Sequence, residues 1–244
     1  MKKIASIFSF LIVLIYLFFF NNYSFADERC VGDCTNGQGS LTSANGDQYM
    51  GEWKNGKHEG EGTFTSAKGD KYVGEWKNDV PDGEGTFNSS KGFKYKGEFK
   101  NGKYEGQGTM IKADGTVYNG EFKNNKYEGQ GTLTSAKGDK YEGTFKDGEA
   151  DGEGTLTLAT GYHYEGEFKN GKKEGRGTLS LPDGSRYEGE WKNDKWDGQG
   201  LLTNADGSKY EGEFKNDRFE GQGVLTYKNG CRKSGNFTNC ENSK

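Results

Sequence analysis

Residues 49–71 read YMGEWKNGKHEGEGTFTSAKGDK, and residues 72–94 repeat the pattern as YVGEWKNDVPDGEGTFNSSKGFK. The twenty-three-residue spacing holds without insertion through units that begin at Tyr49, Tyr72, Tyr95, Tyr118, Tyr141, Tyr164, Tyr187 and Tyr210. A constant period of this size means one small supersecondary unit stacked on copies of itself, each burying its apolar face against the next. Within a unit, Tyr49, Gly51 and Trp53 alternate with Met50, Glu52 and Lys54. That period of two is the signature of a strand with one buried face. Gly60, Gly62 and Phe64 alternate in the same way on the return. The chain is therefore predicted to be all-β, an elongated single-layer stack of antiparallel β-hairpins with eight 23-residue repeats and partial caps. The expected divisions are a leader over 1–26, an N-terminal cap with a partial repeat over 27–48, the repeats over 49–230 and a C-terminal cap over 231–244.

Written as Y-x-G-x-[WF]-K-N-x-x-x-[ED]-G-x-G-x-[FLM], the unit resembles the MORN repeat family (membrane occupation and recognition nexus). The resemblance runs from about Gly37 to Phe237. It implies a non-enzymatic stack of β-hairpins, of a kind associated with phospholipid binding, with protein scaffolding and with groove-type binding of partner segments.

Turn chemistry marks the hairpin loop at Asn55-Gly56, Asn101-Gly102, Asp147-Gly148 and Asn170-Gly171, residues that tolerate the left-handed conformation. Cross-strand charge favours a four-residue loop, which sets Lys54 against Glu59 and Trp53 against Gly60, over a two-residue turn that opposes Lys54 to Lys57. In the favoured register the large rings lie over bare glycine backbone. The return turn is marked by glycines at Gly69, Gly92, Gly115, Gly138, Gly161, Gly184, Gly207 and Gly230. The Asp-Gly pairs at Asp114, Asp183 and Asp206 are explained by turns rather than by calcium loops.

Lys2 and Lys3 precede an apolar run from Ile4 to Phe20, and Ser24-Phe25-Ala26 places small residues where a signal peptidase cuts. The segment reads as a cleaved secretory signal with the mature chain starting at Asp27, in preference to an uncleaved anchor. Export to a periplasmic, cell-surface or secreted location follows. Cys30, Cys34, Cys231 and Cys240, all in the caps, fit that destination. At about 10 Å of rise per hairpin the two caps are expected to lie about 80 Å apart. Within one monomer only the local pairs Cys30–Cys34 and Cys231–Cys240 then meet the geometry of a disulfide.

Removal of Lys2 and Lys3 with the leader takes 33 basic residues to 31 against 37 acidic ones, a formal charge of −6. An acidic body repels nucleic acid and anionic lipid, and the alternation of Glu52 with Lys54 leaves no basic stripe to reverse this. No nucleic-acid partner, no cofactor and no metal is expected. Nor is catalysis. His58 and His163 sit at different offsets in distant units, no phosphate loop occurs, and the recurrent Glu59-type carboxylates read as fold residues answering Lys54. One offset after the tyrosine, Met50, Val73, Lys96 and Asn119 give way to Glu142, Glu165, Glu188 and Glu211. That drift reads as a solvated surface.

Function is sought at the offset that varies most. Nine residues after each tyrosine the chain places His58, Pro81, Tyr104, Tyr127, Ala150, Lys173, Trp196 and Phe219. Tyr104 with Tyr127, and Trp196 with Phe219, are the candidate partner-binding residues, expected as aromatic patches at the end of the hairpin loop. Two readings stand: a contact surface for a protein, a peptide or a membrane surface, or a cover over the edge of the aromatic row. On the first, replacing them by serine spares the fold and abolishes capture.

Overall fold

The computed structural model describes residues 29–237, and among these it contains nineteen strands and no helix. The chain divides into two compact units, up to Gly129 and from Gln130. The first holds β1 (Arg29–Gly32), β2 (Gln38–Thr42), β3 (Gln48–Lys54), β4 (Lys57–Thr65), β5 (Lys71–Lys77), β6 (Val80–Asn88), β7 (Lys94–Lys100), β8 (Lys103–Ile111) and β9 (Val117–Lys123). After β10 (Lys126–Thr134), in which the division falls, the second holds β11 (Lys140–Lys146), β12 (Glu149–Thr157), β13 (His163–Lys169), β14 (Lys172–Ser180) and β15 (Arg186–Lys192). It ends with β16 (Lys195–Thr203), β17 (Lys209–Lys215), β18 (Arg218–Thr226) and β19 (Arg232–Asn236). Within each unit, successive strands pair antiparallel, so every hairpin is the neighbour of the next.

The period of two in the sequence becomes a period of two in burial. Along β3, Tyr49, Gly51 and Trp53 are buried while Gln48, Met50, Glu52 and Lys54 face solvent. The return turn closes as expected: the Ser66 amide donates to the Asp70 carbonyl at 2.8 Å and the Gly69 amide to the Ser66 carbonyl at 2.8 Å, with Gly69 at φ 88°. The Asp-Gly aspartates are turn residues, Asp114 accepting from the Thr116 amide at 2.8 Å and Asp206 from the Ser208 amide at 2.9 Å.

The hairpin register differs from the expectation. Lys54 lies opposite Lys57, Trp53 opposite His58 and Glu52 opposite Glu59, so the loop is a two-residue turn with Asn55 at φ 52° and Gly56 at φ 71°. Positive φ at both residues matches the twist of the flanking strands. A cross-strand ion pair is worth only about 0.2–1 kcal/mol, and the alternative register would forfeit both the turn and the ring packing described below. The return strand is longer than the outgoing one, nine residues against seven. A bulge after Gly51 absorbs the surplus, with Gly60 at φ 60°.

That bulge explains the invariant tyrosine and glycines. Tyr49 folds back over the Gly51–Gly62 pair, and a Cβ on Gly62 would overlap its ring. Its hydroxyl donates to the carbonyl of Glu52, the residue at the register shift, at 3.0 Å. The same bond recurs from Tyr72 to Glu75, Tyr95 to Glu98, Tyr164 to Glu167 and Tyr187 to Glu190. Rings do lie over bare backbone, then, but they are the tyrosines. Tryptophan instead ties one hairpin to the one before, Trp76 Nε1 donating to the Gly62 carbonyl at 3.3 Å and Trp191 Nε1 to the Gly177 carbonyl at 3.1 Å.

Candidate functional site

The core of each unit is a row of rings on one sheet face. Tyr49 meets its own Trp53 edge-on at 5.1 Å and the next repeat's Trp76 at 5.3 Å, and Tyr164 meets Phe168 and Trp191 likewise, both at 5.1 Å. Edge-to-face pairs of this kind contribute about 0.5–1.5 kcal/mol each beyond their buried area.

The variable offset belongs to this row. Tyr104 and Tyr127 are the second residues of β8 and β10, buried at 3% and 5% exposure, rather than members of an exposed loop patch. Each lies flat on the tyrosine of its own repeat, Tyr104 on Tyr95 at 3.8 Å and Tyr127 on Tyr118 at 3.8 Å. Trp196 stacks on Tyr187 at 4.4 Å and Phe219 on Tyr210 at 3.8 Å, and both are half-buried. The placement follows from the two-residue turn, which draws the ninth residue out of the loop and into the strand opposite Trp53 or its equivalent. The expectation that Tyr104 and Tyr127 form an exposed patch dispensable to the fold is corrected accordingly.

The other occupants of the slot show what it tolerates. His58 stacks on Tyr49 at 3.6 Å, and its Nδ1 has no hydrogen-bond partner and lies 3.7 Å from Asp79. Burial lowers its pKa to about 4, against a weaker opposing pull from Asp79. Lys173 is 4% exposed, its amine 5.3 Å from the Tyr164 ring centre and 5.1 Å from that of Trp191, and burial lowers its pKa. Pro81 and Ala150 fill the slot with small side chains. Tyr104 keeps a buried hydroxyl without a partner, whereas the Tyr127 hydroxyl donates to Met110 Sδ at 3.5 Å.

The recurrent carboxylates are fold residues, and where they answer a lysine of the Lys54 type it is that of the next repeat, Asp151 meeting Lys169 at 3.1 Å and Asp197 meeting Lys215 at 3.2 Å. They also cap the turn of the next hairpin: Glu59 accepts from the Asn78 amide at 3.1 Å, Glu105 from Asn124 at 2.9 Å and Glu174 from Asn193 at 2.9 Å. A second ladder runs in the other direction, Asp79 accepting from the His58 amide at 2.8 Å and Asp217 from the Trp196 amide at 2.8 Å. Sequence reasoning missed both ladders. Their one signal was the regular spacing of carboxylates at the same offset.

On the solvent face the observed register opposes lysine to lysine, Lys54 to Lys57, Lys100 to Lys103, Lys169 to Lys172 and Lys192 to Lys195. The lysines are thus brought together at the turn edge, interrupted where Lys77 faces Val80 and Lys146 faces Glu149, and a glutamate row lies one step inward, Glu61 opposite Glu75 and Glu153 opposite Glu167. A hollow of about 480 Å³ at the first hairpin is lined by Asn36, Gln38, Glu52, Trp53, Lys54 and Glu59. Among the described residues no group of three or more His, Cys, Asp or Glu is placed to hold a metal ion. His163 meets Thr157 Oγ1 at 3.1 Å.

Cys30 and Cys34 form a disulfide with a Cα–Cα distance of 6.3 Å, as expected. Cys231 is exposed and forms no disulfide with a described residue, and its expected partner Cys240 lies outside the described residues, as does the whole leader 1–26.

The profile of the MORN repeat matches nine successive stretches, residues 35–48, 49–71, 72–93, 95–117, 118–140, 141–161, 164–186, 187–209 and 210–232. Among curated proteins nothing matches the chain. Solved structures similar to it include the TCP10 domain of Danio rerio CPAP, at 13% identity and a TM-score of 0.40, over 82% of this chain and 90% of that one. The TCP domain of Drosophila melanogaster SAS-4, solved with a proline-rich motif of Ana2, matches at 15% identity and a TM-score of 0.37, over 72% of this chain and 90% of that one. These scores are too low to carry a shared binding mode.

Proposed function

We propose that this chain, which belongs to the MORN repeat family, is an exported, non-catalytic scaffold whose aromatic face receives a protein or peptide partner. The observation that carries the reading is the slot position. Repeats that share the tyrosine and the glycine pair place chemically unlike side chains there, from histidine and proline to lysine and tryptophan, and in the second unit Trp196 and Phe219 remain half-buried on top of fully buried tyrosines. Half-buried aromatics on a rigid support are the usual anchors of a binding surface. Tyr104 and Tyr127 stand in this reading as support for the face, being themselves covered.

Capture from the source's envelope fraction tests the proposal. Wild-type chain is expected to retain a partner that W196A/F219A loses while its circular dichroism stays that of a sheet. Equal recovery by both would sink it. Export rests on the Lys2-Lys3 and Ile4–Phe20 leader and is supported by the Cys30–Cys34 bond, since disulfides persist in oxidising compartments. Mass analysis of the exported chain should find Asp27 at its N-terminus.

Peripheral lipid binding is a second reading, favoured by the lysines brought together at the turn edge. Flotation with anionic and neutral vesicles separates the two. Salt-sensitive retention on anionic vesicles alone supports the lipid reading, and its absence removes it.

A further inference from the structure

The solvent face of the first unit carries a feature that its repeats do not require. Val31 pairs with Ser40, Ser40 with Met50, Met50 with Thr63, Thr63 with Val73 and Val73 with Thr86, so these six residues form one uncharged row across β1 to β6. Val31, Met50 and Val73 are exposed at 73%, 62% and 40%. The fold does not need apolar residues there: in the second unit the same register position holds Glu165, Glu188 and Glu211, opposite Thr178 and Leu201.

Charge borders the row on both sides. Toward the turn edge run Glu52, Glu61 and Glu75, and toward the return turns run Arg29 and Lys71. With strands about 4.8 Å apart, the large apolar residues recur on every second strand, at about 10 Å. One heptad of α-helix advances about 10.5 Å, so the a positions of a helix laid along the row meet Val31, Met50 and Val73 in succession.

We propose that this row is a docking surface for an amphipathic helix of a partner protein. The helix carries an apolar stripe at its centre, basic residues on the flank facing Glu52, Glu61 and Glu75, and acidic residues on the flank facing Arg29 and Lys71. This is recognition by the apolar face of a helix, on the side of the sheet opposite to the aromatic core. It is independent of the aromatic face proposed above.

The test uses the full chain and fluorescein-labelled synthetic helices of about 16 residues, long enough for two heptads. All have leucine at a and d. One has a lysine flank and a glutamate flank, one has lysine on both and one has glutamate on both. Anisotropy titration should give the tightest binding with the mixed-flank helix, weakened at least tenfold by M50E/V73E. That variant should keep its melting temperature, because the second unit carries glutamate at the same position. The proposal is overturned if no helix binds saturably, or if M50E/V73E binds the mixed-flank helix as well as wild type does. Two other results also overturn it. Sedimentation could show a dimer that M50E/V73E dissociates, making the occupant a second copy. A photo-crosslinker at position 50 could capture residues 1–28 of the same chain.

Discussion

At the residue level, the slot nine positions after each tyrosine decides how much of the chain's chemistry is structural. His58 is the sharpest case, because a buried imidazole stacked on Tyr49 disfavours its charged form. Its folded pKa of about 4 lies below the ordinary 6.5, so the unfolded state binds the proton more readily. Stability from this site is whole above pH 6.5, is lost as pH falls toward 4, and changes no further below that, with a span of at most about 3 kcal/mol. His58→Phe should remove that slope, since Phe219 shows that the slot accepts the ring. Urea midpoints of both proteins at pH 7 and pH 4.5 check this, and parallel losses in the two would refute it. Tyr104→Ser should cost about 3 kcal/mol or more, as expected when a buried ring is removed. A urea midpoint within error of wild type would return Tyr104 to the surface.

At the level of the element, the hairpin of β3 and β4 depends on two glycines for different reasons. Gly56 sits at φ 71° with open space where a Cβ would go, so Gly56→Ala meets only backbone strain, about 1 kcal/mol. Gly62 lies beneath the Tyr49 ring, and a methyl group there must displace the ring and its bond to the Glu52 carbonyl. Gly62→Ala should therefore be the more damaging by at least about 2 kcal/mol. Equal denaturation midpoints would show that the tyrosine is not held against the glycine pair.

At the level of the whole molecule, a stack of repeats is stabilised by local terms and by terms between neighbours. The Cys30–Cys34 bond closes the start of the first unit. Hydrogen exchange followed by mass spectrometry should show faster exchange over residues 29–42 after reduction, with residues 186–226 unchanged. Faster exchange in the second unit would mean that the chain opens as one cooperative body.

The sequence by itself determined the period, the alternating burial of Tyr49, Gly51 and Trp53, the return turns at the Gly69 series and the Cys30–Cys34 pair. These are local properties, set by neighbours within a few residues. Tertiary structure alone decided the hairpin register, and with it the fate of Tyr104, Tyr127, Trp196 and Phe219. Glu59 had two possible uses, a lysine across its own hairpin or the turn amide of Asn78 in the next one, and pattern alone weighs only the first. The turn amides need an acceptor, the tyrosines need a ring to stack on, and both needs are met only when one repeat is laid against another. The same register brought separate lysines together at the turn edge and set Val31, Met50 and Val73 side by side, because which residues share a sheet face across strands depends on pairing and not on sequence distance.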